Sequence, residues 1–247
     1  FSRQLFHYTA LIFLAMMALA PIWVMIATSF KNDIVVQDAK PLWFFFVPTL
    51  DNYEYILTRG KFDRYLTNSI IVGTASTVMT LLLGGFCAYA LARTDFKGRN
   101  LMANSTLMVR MVPPAVLLVP VFGLWNNEFC LDKTGLIGGF IRDTMGGRGD
   151  VCLAGTHGGI ILIYVAMNLP FVIWILQSFI VQVPRSLEEA ARVDGAGPFQ
   201  VFFKVVLPLI KPGLAAAAIF TFRIAWNEYL LASALSDRDT KTVPILI

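Results

Sequence analysis

The stretch EEAARVDGAGPFQVFFKVVLP (residues 188–208) is a polar segment, interrupted by glycine and proline, between two long apolar runs. Just before it, Ser186 is followed three residues later by Glu189, the spacing of a capping box that starts a helix. This spacing predicts a short helix over residues 187–193. Gly195 follows directly, and glycine commonly ends a helix because it takes a positive φ without strain.

A second short helix is predicted to begin at Pro198, since proline suits the first position of a helix. Phe199, Phe202 and Phe203 recur at i, i+3 and i+4 and give this helix one apolar face. Residues 184–211 form a longer loop than a simple connection needs. The small residues that this loop presents include Ala190, Ala191 and Ala196. The pattern alone leaves two interpretations open, a surface for docking a partner or an amphipathic helix lying on lipid.

The composition around this loop indicates a membrane protein. Of the 247 residues, 57% are apolar and 15% are charged, whereas a soluble domain carries about 25% charged residues. The net charge is +4, and the basic residues stand singly between apolar runs, which argues against a nucleic-acid face. No cysteine or histidine pair has the spacing of zinc ligands, so no metal site is predicted.

Five apolar stretches reach the roughly 20 residues that a helix needs to cross a bilayer. They are residues 5–30, 65–92, 101–124, 159–183 and 212–235. The sequence therefore predicts an all-α, multi-pass membrane protein. A sixth helix is predicted to begin near residue 243, and because the sequence stops soon afterwards, we expect the natural protein to continue through it.

The distribution of lysine and arginine predicts the orientation of the spans. Basic residues concentrate in residues 93–100 and 184–211, which places these two loops in the cytoplasm. Residues 31–64 and 125–158 then lie outside, the latter as a periplasmic loop. Cys130 and Cys152 both fall in that loop and are predicted to form a disulfide in an oxidising compartment. The alternative is two independent thiols.

Several polar residues fall inside predicted spans, where such residues usually face a cavity or a partner. They are Arg110, Asn168, Arg223, Trp226, Asn227 and Glu228. Charged and amide groups suit the hydroxyls of a sugar or polyol, and an aromatic ring such as that of Trp226 suits the apolar face of a sugar. These residues are candidates for a substrate pathway. The alternatives are roles in packing, in a gate or in pairing with another subunit.

The loop also resembles a family signature. Glu189-Ala190-Ala191 are followed after three residues by Gly195, after nine more by Val205, and then by Leu207-Pro208. This order and spacing resembles the EAA motif of permease subunits of bacterial ATP-binding-cassette (ABC) importers. Residues 68–93, 111–122, 168–176 and 225–232 look like the carbohydrate branch of that family, the branch of the maltose permeases. The resemblance covers about residues 68–235.

The resemblance implies a six-helix type I importer transmembrane domain in the bacterial inner membrane. Its EAA loop would fit a cleft on an ATPase subunit, through Glu189, Ala190, Ala191, Asp194, Gly195 and Ala196. The implied partners are a second, homologous permease subunit, two ATP-binding cassette subunits and a periplasmic solute-binding protein. The sequence lacks a phosphate-binding G-x-x-x-x-G-K-[ST] loop, so we expect ATP and magnesium on the partner subunits and no catalytic residue in this chain.

Two other functional classes fit the sequence less well. A secondary transporter or channel would work without ATP, and secondary transporters usually contain internal repeats with broken helices at matching positions; no clear repeat is present. A membrane-embedded enzyme would need clustered histidines or carboxylates on facing spans. His7 and His157 lie at the wrong ends of their helices for that role.

Overall fold

The computed structural model describes residues 2–32, 36, 46–58, 60–123, 130–131, 151–152 and 155–246. The helices are α1 Ser2–Ser29, α2 Asp51–Thr58, α3 Phe62–Arg93, α4 Arg99–Arg110, α5 Pro114–Gly123, α6 His157–Gln182, α7 Arg185–Val193, α8 Pro198–Leu209, α9 Lys211–Trp226, α10 Leu230–Leu235 and α11 Val243–Leu246. Two-residue strands, β1 Cys130–Leu131 and β2 Val151–Cys152, pair antiparallel.

Three of the described helices, α1, α3 and α6, are long and apolar enough to cross a membrane, and the number rises to five if each of two bent pairs forms one span. The predicted span over residues 101–124 is not one continuous helix, because α4 and α5 meet at 94° and form a bent pair. Pro113 explains the break, since proline disfavours the helical conformation at the residue before it. The predicted span 212–235 is also divided, because α9 ends at Trp226 and α10 begins at Leu230.

Residues 1–63 and 64–247 form two compact units. In the first, α1 is exposed along nearly its whole length, as suits a helix whose solvent is lipid. The side-chain amide of Asn52 donates to the backbone carbonyls of Ser29 and Lys31, at 3.2 and 2.8 Å. The Tyr53 hydroxyl lies 2.8 Å from the Ser29 hydroxyl. These bonds attach α2 to the end of α1.

The second unit is built around α3 and α6, with apolar clusters at two levels. One cluster packs α3 and α6 against α8 and α9, with Val172, Leu176 and Val206 fully buried. The other packs α3 and α6 against α10, with Ile160 and Leu231 at its centre. Small residues let these helices approach closely.

Polar contacts close the end of this unit that lies farthest from the 184–211 loop. The Asn68 amide donates to the carbonyls of Asp239 and Lys241, both at 2.9 Å. The Asn68 Oδ1 atom lies 2.9 Å from His157 Nε2, and the Val243 N–H donates to the Ser69 hydroxyl at 2.8 Å. The start of α3, the start of α6 and the segment before α11 therefore meet at one end.

Candidate functional site: coupling loop and inner cavity

The helix that opens the 184–211 loop ends in a Schellman motif. The Gly195 N–H donates to the Arg192 carbonyl at 3.0 Å, and the Ala196 N–H donates to the Ala191 carbonyl at 2.9 Å. These are the two bonds that define the motif, with Gly195 in its left-handed position. The φ of Gly195 is 85°, which confirms the predicted positive-φ turn.

The predicted start of this helix is wrong in its detail. The helix begins at Arg185 with Pro184 as the N-cap, and no side chain caps it. Ser186 therefore lies inside the first turn, and the predicted capping box of Ser186 and Glu189 does not form. The next helix does begin at Pro198 as predicted, and the Gln200 side chain accepts a hydrogen bond from the Gly197 N–H at 3.2 Å.

The six residues predicted for coupling divide into two groups by exposure. Glu189, Ala190, Asp194 and Gly195 are exposed, whereas Ala191 and Ala196 are half-buried and pack against the core. The exposed group forms a low surface next to the Schellman turn, which we call the coupling surface. Two of its four residues, Ala190 and Gly195, are small and leave the backbone accessible to a close-fitting partner.

The apolar face of α8 packs against α3. A π-helical turn, Phe202–Val206, buries Phe202 and Val206. The ring of Phe86 on α3 lies 5.1 Å from the ring of Phe202 and 5.9 Å from that of Phe203, between centroids. Phe199 remains 69% exposed. Of the three residues of the predicted face, Phe202 is the buried one and holds the loop to α3, whereas Phe203 and Phe199 touch Phe86 but stay exposed.

Sequence reasoning missed Glu188, the residue next to the motif. Its carboxylate is buried, and it accepts hydrogen bonds from Arg93 Nε at 2.6 Å and from the Tyr89 hydroxyl at 2.9 Å. The sequence did offer a signal, the two consecutive glutamates Glu188 and Glu189. Neighbouring residues on a helix point about 100° apart, so the two side chains face different surroundings. In the sequence, Arg93 contributed only to the predicted orientation of the spans.

A cavity of about 430 Å³ lies beside the bend between α4 and α5. Its lining residues include Arg110, Tyr164, Asn168 and Glu228. Three of the six residues predicted for the substrate pathway are therefore brought together, from α4, α6 and the segment after α9. Residues on both sides of the bend, Arg110 of α4 and Pro114 of α5, line this cavity.

The polar groups of this cavity are held in defined positions. The Arg110 guanidinium lies 3.9 Å from the centroid of the Phe171 ring, a favourable cation–π distance. The Asn168 amide donates to the Tyr164 carbonyl at 2.9 Å. The Glu228 carboxylate accepts from the Leu231 N–H in the first turn of α10, at 3.0 Å. The cavity offers a cation, an amide and a carboxylate to a polar solute.

The other three predicted residues lie elsewhere. Arg223 and Trp226 line a separate, open and almost wholly apolar groove on α3 and α9, and the Trp226 ring lies 5.5 Å from that of Phe222, between centroids. The exposed Asn227 ends α9, with its amide donating to the Arg223 carbonyl at 2.9 Å. Trp226 is thus not placed to stack on a sugar in the cavity.

The predicted disulfide falls on the paired strands. Cys130 and Cys152 are directly opposite each other in the antiparallel ladder. Residues in that relation have Cα atoms about 4.5–5.5 Å apart, within the range that a disulfide requires. The bridge itself stays a prediction, and most of the predicted loop 125–158 lies outside the described residues.

We expect peptide mass spectrometry without reductant to find Cys130 linked to Cys152. In the chain-entropy view, closing this loop stabilises the fold by about 3 kcal/mol, so reductant should lower the unfolding temperature. Cys87 is free and exposed within the span α3, so the protein is denatured in SDS before alkylation, and Cys87 should then be alkylated without reductant as the internal control. Alkylation of all three thiols under those conditions would contradict the prediction.

Solved structures establish the fold. The chain resembles a bacterial ABC transporter involved in the import of the acidic polysaccharide alginate, with a TM-score of 0.66 and 24% identity over 99% of this chain and 78% of that one. A second likeness is to a bacterial alginate ABC transporter in complex with an alginate pentasaccharide-bound periplasmic protein, with a TM-score of 0.56 and 20% identity over 94% of this chain and 79% of that one. The fold is that of an ABC importer transmembrane domain.

The fold and the match to a family model together define a multi-pass membrane permease. The chain belongs to the family described as binding-protein-dependent transport system inner membrane component, whose model matches residues 80–237. It is therefore the translocation subunit of an ABC importer rather than an enzyme, and a binding protein is its partner.

Curated relatives extend along most of the chain. The chain is 36% identical to a trehalose transport system permease protein of Mycobacterium tuberculosis, over 93% of this chain and 75% of the relative. It is 34% identical to a diacetylchitobiose uptake system permease protein of Streptomyces coelicolor, over 96% of this chain and 70% of the relative. It is 32% identical to a trehalose/maltose transport system permease protein of Thermococcus litoralis, over 95% and 76%.

Proposed function

We propose that this permease forms half of an ATP-driven pathway that imports a carbohydrate or related polyhydroxylated solute by alternating access. The observation that carries the proposal is the coupling surface, which ends in a Schellman turn and keeps the EAA spacing. The solute class is supported by the relatives, which are named for trehalose, maltose and diacetylchitobiose. The proposed location is the bacterial inner membrane, with the coupling surface in the cytoplasm.

The complete importer in this proposal contains a second, homologous permease subunit and two ATP-binding cassette subunits that hold ATP and magnesium. The coupling surface fits a cleft on one cassette subunit, because Ala190 and Gly195 allow close approach. Closure of the cassette subunits on ATP moves the two permease subunits from an inward-facing to an outward-facing state. The periplasmic binding protein delivers the solute from the opposite side.

Reconstitution tests the proposal directly. The chain, expressed with its companion permease and cassette subunits, is placed in proteoliposomes, and uptake of labelled trehalose, maltose and diacetylchitobiose is measured. We expect uptake of a sugar that requires both ATP and the binding protein. Equal uptake by the permease alone, without ATP, would replace this proposal with a secondary transporter or channel.

The position of the cavity predicts that replacing two different arginines has different effects on the apparent affinity for solute. Arg110→Ala should weaken the apparent affinity for solute at least about tenfold, as expected for loss of a hydrogen bond from a charged group. Arg223→Ala removes the same side chain from the separate apolar groove and serves as the matched control, with near-normal affinity expected. Glu228→Gln removes the carboxylate charge while keeping an acceptor for the Leu231 N–H, and it should also weaken affinity.

The measurement is the solute concentration that gives half-maximal uptake, in complexes with normal assembly and ATPase activity. If Arg110→Ala and Glu228→Gln keep wild-type affinity, the cavity does not lie on the solute path. A loss confined to Arg223→Ala would instead assign the path to the groove on α3 and α9.

A further inference from the structure

The Glu188 carboxylate lies at a junction of three elements. One of its oxygens accepts from Arg93 Nε at 2.6 Å, and the other accepts from the Tyr89 hydroxyl at 2.9 Å. A terminal nitrogen of Arg93 donates in turn to the Val183 carbonyl at 2.7 Å. These bonds join the end of α3 to α7 and to Val183, the C-cap residue of α6. We call this network the Glu188 clamp.

The clamp differs from the other ion pairs of the described residues in its burial. The side chains of Arg93 and Glu188 are 8% and 4% exposed. The pairs Arg64–Asp239 and Arg99–Asp95 each include a side chain more than 70% exposed. Exposed pairs contribute little, whereas a buried charge whose partner is removed is costly. The network around Glu188 therefore strongly favours one arrangement.

The clamp also provides the main fixed attachment of α7. Among the residues of this helix, Glu188 is the buried one, and Ala191 adds a half-buried contact. Contacts between apolar groups are non-directional, so they let a short helix rotate or slide. Hydrogen bonds to both oxygens of a carboxylate fix its angle as well as its distance.

We propose that Glu188 is a positioning residue for coupling, through which α7 and the end of α3 move as one body. This inference rests on the proposed function, in which the coupling surface receives the ATP-driven movement. Glu189 lies exposed on that surface, while Glu188 points inward to the clamp. The movement of the partner then passes from α7 through Glu188 and Arg93 into α3, which contributes to both apolar clusters of the unit.

The test uses the complete importer and measures sugar molecules taken up per ATP hydrolysed, with the sugar chosen from trehalose, maltose and diacetylchitobiose by wild-type uptake. Glu188→Gln should lower this ratio roughly tenfold, because it leaves Arg93 buried without its counter-charge. Asp95→Asn is the matched control. It makes the same chemical change in an exposed pair nearby and should leave the ratio unchanged.

A double variant separates positioning from stability. Replacing both Glu188 and Arg93 with methionine removes the buried charges together, and such replacement by apolar residues is often neutral or stabilising. We expect this variant to assemble with its cassette subunits but to stay uncoupled, because the apolar pair lacks directional bonds. Wild-type coupling in the double methionine variant would overturn the inference.

Tyr89→Phe covers the case in which Glu188→Gln does not assemble. This substitution keeps the ion pair and removes the hydrogen bond from the Tyr89 hydroxyl. We therefore expect normal assembly and about two- to tenfold less sugar taken up per ATP hydrolysed. An unchanged ratio of uptake to hydrolysis would count against the clamp. Failure of the proposed function looks different, because the wild-type chain would not co-purify with an ATPase or would transport without ATP.

Discussion

Replacing Gly195 with valine is expected to reduce ATP-driven uptake at least about fivefold while leaving ATP hydrolysis largely intact. The φ of Gly195 is 85°, and a β-branched residue in that left-handed region costs at least about 1–2 kcal/mol. No atom lies within 4 Å of the place where a side chain would begin. The penalty therefore comes from backbone conformation and not from crowding, and we expect the Schellman turn to open and the coupling surface to change its orientation.

Gly197 provides a close control two residues further along. It too has open space where a side chain would begin, but its φ is −71°, which valine adopts without strain. It also precedes Pro198, and the extended conformation favoured there suits valine. The measurement is uptake per ATP hydrolysed in proteoliposomes. Equal ratios for Gly195→Val and Gly197→Val would mean that the left-handed turn has no role in coupling.

The second large effect is a loss of folding stability, which we expect from Gly213→Ala in α9. A methyl group at this position would lie 2.5 Å from two ring atoms of Phe179 on α6, far inside normal contact distance. In an open helical position the same change stabilises by about 1 kcal/mol, because alanine favours the helix. Here we expect a loss of about 1–3 kcal/mol, the usual cost of overpacking, since the ring cannot move away without disturbing the contact between α6 and α9.

Gly85→Ala is the matched control for this prediction. Gly85 lies inside α3, and its added methyl group would meet Phe202 and Leu176 at 3.6 and 3.9 Å, which is ordinary contact. We expect the unfolding temperature of the purified complex to fall for Gly213→Ala and to hold or rise for Gly85→Ala. A Gly213→Ala protein as stable as wild type would show that α6 and α9 are less closely packed than the structure indicates.

The sequence predicted more of the coupling loop than of the cavity, and the reason is locality. The glycine turn at Gly195 and the helix start at Pro198 depend on residues adjacent in sequence, so their φ preferences were sufficient. The prediction of a capping box failed because the spacing of Ser186 and Glu189 is also compatible with a helix that begins at another residue. Here Pro184 precedes the helix and starts it earlier than the pattern implied.

The grouping of the polar span residues was beyond sequence pattern. Arg110, Asn168 and Glu228 share a cavity because α4, α6 and the segment after α9 meet there, and that packing joins residues far apart in the sequence. Arg223 and Trp226 are only a few residues from Glu228, yet they lie on the face of α9 that lines the groove. Ile224 and Ala225 lie on the face that lines the cavity. Helical periodicity separates the two faces, and only the tertiary packing decides which face meets the cavity.

By itself, the sequence determined a multi-pass helical membrane protein with an ordered loop over residues 184–211, because apolar length and local turn chemistry are written in contiguous residues. Its interpretation as a permease came from the resemblance of that loop to the EAA motif. Only the tertiary structure decided which of two adjacent glutamates is exposed for a partner and which is buried. Glu188 meets Arg93 across almost a hundred residues of sequence, and that meeting depends on how α3 and α6 pack. Glu189 is exposed because of the same packing, since Glu188 lies on the face of α7 that is packed against the rest of the protein.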